Sequence, residues 1–81
     1  MICREWAALE ALIGKTQCST FMYMGRSSPI AHDGGLVQLY LYKHVDTRRY
    51  LNVAEDGTCF RYAVAGYAAV TREEAIAHAF S

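Results

Sequence analysis

Apolar residues open the chain at steps of four, three and four: Ile2, Trp6, Leu9 and Ile13, with Leu12 beside them. That spacing lays one stripe along a helix, and Arg4, Glu5 and Glu10 fall off it. The pattern predicts a helix from Ile2 to Ile13. Gly14 supplies its C-terminal stop and Lys15 a cation near the negative helix end.

The period then changes to two. From Cys18 to Met24, Phe21 and Tyr23 alternate with Thr20, Met22 and Met24, which reads as a strand. Gly25 to Gly35 holds the only proline and three of the six glycines. This composition predicts a loop, and the most mobile internal segment. Leu36 to Lys43 alternates again, with Val37, Leu39 and Leu41 against Gln38, Tyr40, Tyr42 and His44. Arg48 to Ala54 sets Leu51 and Val53 against Tyr50 and Asn52. Asp56-Gly57 is a strong hairpin signal. Thr58 to Val64 forms the next strand, Ala65-Gly66 a turn, and Tyr67 to Val70 a short last strand. Thr71-Arg72-Glu73-Glu74 is a capping box, with Thr at the N-cap and Glu three residues on. Ala75, Ile76, Ala79 and Phe80 give the terminal helix its apolar face.

Registers follow from matching apolar faces across strands. A three-residue turn at Val45-Asp46-Thr47 opposes Leu41 to Leu51 and Leu39 to Val53. A two-residue turn at Asp56-Gly57 opposes Val53 to Phe60 and Leu51 to Tyr62. One sheet face then holds Leu39, Leu41, Leu51, Val53, Phe60 and Tyr62. The other holds Tyr40, Tyr42, His44, Arg48, Tyr50, Asn52, Cys59 and Arg61. The expected fold is α+β: one domain over residues 1–81, an antiparallel meander of three to five strands, and a helix at each end of the chain packed on the leucine face.

Composition narrows the functional classes. Hydrophobic residues are 53% and charged residues 20%, so the chain is globular rather than disordered. Zero formal net charge argues against a strongly basic nucleic-acid binder and a strongly acidic nucleic-acid mimic. No apolar run reaches the roughly 20 residues of a bilayer span. Met1 to Trp6 lacks the basic-then-apolar pattern of a secretory signal. Cys3, Cys18 and Cys59 are odd in number and scattered, which suits reduced thiols better than a disulfide framework. The expected location is the cytoplasm.

Candidate chemistry concentrates on the tyrosine face. Tyr40, Tyr42 and Tyr50, with His44, Arg48 and Arg61 around them, form the expected partner-binding site. Rings and cations on an open sheet stack bases and meet phosphates, but they equally suit a protein partner. From Tyr40 to Tyr62 there are four cations (Lys43, Arg48, Arg49, Arg61) against three carboxylates (Asp46, Glu55, Asp56), a weak field for nucleic acid.

Other motifs fall away. Leu12-Ile13-Gly14-Lys15-Thr16 ends like a phosphate-binding loop, but position 9 is Leu9 where that motif needs glycine, and the helix precedes it instead of following. The cysteines and His32, His44 and His78 show no metal-ligand spacing. His44 and Cys59 sit two strands apart on one face, too far for an activated pair. No catalytic site, metal or cofactor is expected, and no membrane partner. The expected function is a small non-catalytic protein-binding module, an inhibitor or adaptor of a larger complex. Size class alone sets it beside phage antagonists of host defence such as the anti-CRISPRs. The alternatives are a sheet that binds single-stranded nucleic acid, and a homodimer built on a free strand edge.

Overall fold

A computed structural model describes residues 4–81. Ile2 and Cys3, the first residue of the predicted helix and one of the three thiols, lie outside the described residues. Helix α1 spans Arg4–Ile13 and buries Ala8, Leu9 and Leu12. Gly14 ends it at φ +88°, a conformation that favours glycine, and its N–H donates to the Glu10 carbonyl at 2.9 Å. A short helix, α2 (Lys15–Cys18), follows where the alternation predicted a strand start. The hydroxyls of Ser19 and Thr20 donate back to the carbonyls of Thr16 and Gln17 and hold that turn closed. Strand β1 therefore begins at Phe21 and runs to Arg26.

After β1 come β2 (Ile30–His32), β3 (Gly35–Val37), β4 (Leu39–His44), β5 (Tyr50–Ala54), β6 (Cys59–Ala63) and β7 (Gly66–Val70), then helix α3 (Arg72–Phe80). The class is α+β. Five strands form one antiparallel sheet in the order β1-β4-β5-β6-β7, and β2–β3 form a separate two-stranded sheet. Thr71 caps α3 as its sequence predicts, its hydroxyl accepting from the Glu74 N–H at 3.0 Å.

Both predicted registers shift by one residue. Between β4 and β5, Tyr42 opposes Leu51, Tyr40 opposes Val53 and Leu41 opposes Asn52. The connection has four residues, Val45 to Arg48, closed by hydrogen bonds from His44 N–H to Arg49 and from Arg48 N–H to His44. Arg48 takes the left-handed conformation at φ +64° that completes the loop. The His44 ring braces the loop, its Nδ1 accepting from the N–H groups of Asp46 and Thr47. Thr47 then donates its hydroxyl to the Ala79 carbonyl at 2.6 Å, tying the loop to the last turn of α3. Between β5 and β6, Val53 opposes Cys59 and Asn52 opposes Phe60. There the turn is Glu55-Asp56-Gly57, with Gly57 at φ +95° and Asp56 accepting from the Thr58 N–H at 2.9 Å. Three-residue hairpin loops end on such a left-handed residue.

These shifts exchange the sheet faces. One buried cluster joins Ala8, Leu9 and Leu12 of α1 and Ala75 and Ala79 of α3 to Phe21, Tyr40, Tyr42, Leu51, Val53 and Cys59. The helix-side core thus stands on the tyrosine row of β4, not the leucine row. The leucines are not wasted. Leu39 is buried on the opposite face with Ala54 and Phe60, covered by Ile30 and Val37 of the β2–β3 hairpin.

That hairpin replaces the predicted loop. Asp33 (φ +51°) and Gly34 (φ +78°) form its two-residue turn, the left-handed pair that Asp-Gly favours. Ser27 anchors its base, exchanging backbone contact with Leu39 and accepting the Leu39 N–H on its hydroxyl at 2.9 Å. The sheet therefore has cover on both faces, and an assignment assuming one bare face inverts the register.

Candidate functional site

The six expected site residues do not share an exposed face. Tyr40, Tyr42 and His44 are buried at 2%, 0% and 6% exposure. The Tyr42 ring lies 5.4 Å from Trp6 and 5.9 Å from Tyr23, and the His44 ring packs edge-on against Phe21 and Phe80. Burial drives the Tyr42 phenol well above its ordinary pKa, with Tyr23 and Tyr40 adding to the shift. Trp6 of α1 covers Tyr42 and Phe80 of α3 covers His44, so these side chains are core. Arg48 is exposed in the β4–β5 loop. Only Tyr50 and Arg61 meet at one cavity.

That cavity arises where the sheet parts. β5 and β6 share two residue pairs, whereas β6 and β7 share five. Past Asn52–Phe60 the ladder stops, and the two strands diverge toward Tyr50 and Tyr62. A cleft of about 460 Å³ opens between them. Tyr50, Tyr62 and Tyr67 supply aromatic walls, and Arg49, Arg61 and His78 supply the basic ones. Tyr62 and Tyr67 meet edge-on with centroids 5.0 Å apart. Burial raises the Tyr67 phenol, and the neighbouring Tyr62 and Tyr50 raise it further.

Asn52 stands in the last β5–β6 pair before the strands part. It is 2% exposed and lines the cavity. Its Nδ2 donates to the Phe60 carbonyl at 3.2 Å, while its Oδ1 is buried without a partner among the described residues. The opposite amide orientation would set two acceptors against each other, so Oδ1 is the free atom. A buried acceptor left unpaired costs about 1–3 kcal/mol.

Positive charge gathers on the same cleft. His78 has its pKa lowered, first by burial and then by Arg61 and Arg49. Glu74 approaches Arg61 only to 3.9 Å, and among the described residues no carboxylate lies within 4 Å of Arg49.

Arg49, Asn52, Tyr62, Tyr67 and His78 were not among the expected site residues. One signal pointed to Asn52: a lone amide between Leu51 and Val53, in a strand otherwise suited to burial. Nothing local marks Arg49 or His78, because the sheet opening brings them in from the loop and from α3.

The thiols are conventional. Burial raises both Cys59, which is buried, and Cys18, which is half-buried. Among the described residues, no three His, Cys, Asp or Glu side chains come together as a metal site. No described helix is long and apolar enough to cross a membrane. Compared with protein-family models, curated proteins and solved structures, the chain matches none.

Proposed function

We propose that this chain is a small non-catalytic protein-binding module that docks through the β6–β7 ribbon and acts by occupying its partner's surface, as an inhibitor or adaptor does. The observation that carries this reading is the exposure of the ribbon. Tyr62 is 70% exposed and Val64, at the hairpin tip, is fully exposed at 107%. Folding alone does not require a large apolar tip, and Tyr is among the residues enriched at binding hot spots. β7 adds an open sheet edge, Gly66-Tyr67-Ala68-Ala69-Val70, without a charge or proline to blunt it. An extended partner segment can add a strand there.

The test is affinity capture with the wild-type protein and with a Val64→Lys/Ala65→Lys tip variant. Both positions are exposed, so the variant should melt as the wild type does. Loss of a specific captured protein in the variant, with wild-type protein monomeric by sedimentation, supports the reading. Unchanged capture overturns it. A wild-type dimer that the variant disperses would assign the ribbon to a second copy of this chain.

A further inference from the structure

We propose that the cleft between β5 and β6 binds a nucleoside monophosphate: its base lies against the tyrosine walls, a base N–H donates to Asn52 Oδ1, and its phosphate sits on Arg49 and Arg61. This goes beyond the docking reading, which rests on the ribbon's tip and outer edge and shares only Tyr62 and Tyr67 with the cleft.

Three features of the cleft select this chemistry together. The first is Asn52. A folded chain rarely leaves a side-chain acceptor buried and unpaired without a use for it. Nδ2 is already committed to Phe60, so the vacancy is an acceptor and calls for an N–H donor. The amino groups of adenine and cytosine are such donors. The second is the aromatic lining. Tyr50, Tyr62 and Tyr67 surround the cleft with ring surface, on which any base can stack. The third is charge: among the described residues Arg49 has no carboxylate within 4 Å, and Arg61 has Glu74 only at 3.9 Å. Arg49 and Arg61 both line the cleft, and the charge of both adds to burial in lowering the pKa of His78. Guanidinium forks pair with phosphate in two-bond geometry.

Simpler ligands leave part of the site unused. An inorganic anion satisfies the arginines but leaves Asn52 Oδ1 bare. An uncharged aromatic fills the tyrosine walls and leaves Arg49 without an anionic partner among the described residues. The volume of about 460 Å³ lies within the ordinary range of small-molecule sites and is ample for one nucleotide.

The same chemistry is available from a free nucleotide and from the phosphorylated end of a single strand. Titration of the full chain by calorimetry separates them. AMP and CMP are expected to bind at one site. Adenosine, ribose 5-phosphate and inorganic phosphate should each bind at least about tenfold more weakly, since each lacks one recognised group. Arg49→Gln and Arg61→Gln should each weaken AMP about tenfold. Both residues reach solvent, so these variants keep the fold that Asn52→Leu endangers. A 5′-phosphorylated oligodeoxyadenylate more than tenfold tighter than AMP would identify a strand end as the ligand, and equal affinity a free nucleotide. No binding of AMP or CMP at millimolar concentration overturns the proposal. So does wild-type affinity in both arginine variants, or inorganic phosphate binding as tightly as AMP. Val64→Lys/Ala65→Lys should bind AMP normally and Arg49→Gln should capture protein normally, so either proposal can fail alone.

Discussion

The Tyr42 ring is fully buried between Trp6 and Tyr23, and its hydroxyl donates to the Glu5 carbonyl in the first turn of α1. One side chain thus contributes both ring packing and a helix tether. The two contributions separate by substitution. Tyr42→Phe keeps the ring and should cost about 1 kcal/mol, the net worth of one hydrogen bond. Tyr42→Ala leaves a cavity as well and should cost about 3–5 kcal/mol. Urea denaturation of the three proteins measures both. Equal costs would show that the hydroxyl carries the whole effect and that the ring is not core. The same residue explains why the tyrosine face reads as open from sequence and is core in the fold. Tyr is amphipathic, and alternation shows that Tyr40 and Tyr42 share a face without showing whether water or a helix covers it. The hydroxyl contact that settles Tyr42 joins residues 37 apart, beyond any local pattern.

At the scale of elements, what was legible depended on how local the causes were. The α1 stripe, the Gly14 stop, the Thr71 cap and the strand alternation from Leu39 onward all act within a few residues, and each element forms where its pattern places it. Sheet register is not local in that sense. It turns on whether a connection has three residues or four, and Arg48 entering the left-handed region adds the fourth. The β2–β3 hairpin was missed for a different reason. Its Asp33-Gly34 carries the same signal as Asp56-Gly57, but its strands are only three residues each, one following Pro29 and the other starting at Gly35. Two neighbouring glycines test the turn. Gly34 sits at φ +78°, and a Cβ there would meet nothing within 4 Å, so Gly34→Ala should destabilise by backbone strain alone, about 1–2 kcal/mol. Gly35 lies outside the left-handed region, and its Cβ would only touch the His32 carbonyl at 4.0 Å. Gly35→Ala should stay within about 0.5 kcal/mol of wild type. Thermal melts of the pair compare them directly. Equal behaviour would mean that Asp33-Gly34 is not a left-handed turn in solution.

For the whole molecule, the parted sheet has a consequence for stability against acid. His78 faces the cleft from α3, Arg61 faces it from β6, and Arg49 from the residue preceding β5. Burial and those two guanidiniums hold the folded pKa of His78 below its ordinary value, so the unfolded chain takes up the proton first as pH falls. The stability is fully present above the ordinary histidine pKa of about 6.5 and is lost as pH drops through the window down to the folded value. Asp56 has the same sign at lower pH. The Thr58 N–H, donating to its carboxylate, lowers the folded pKa, so its contribution is present above the ordinary Asp value and is lost as the carboxylate protonates. Acid should therefore weaken the fold in two separate steps. Urea midpoints measured from pH 8 to pH 3 would resolve them. His78→Gln should flatten the upper step and leave the lower one, while Asp56→Asn should do the reverse. Arg49→Gln should shrink the upper step without abolishing it, because burial, the larger cause, remains. If wild-type stability rose on acidification through pH 6.5, His78 would be gaining a partner in the folded state, and the cleft would lack the positive potential on which its affinity for a phosphate depends.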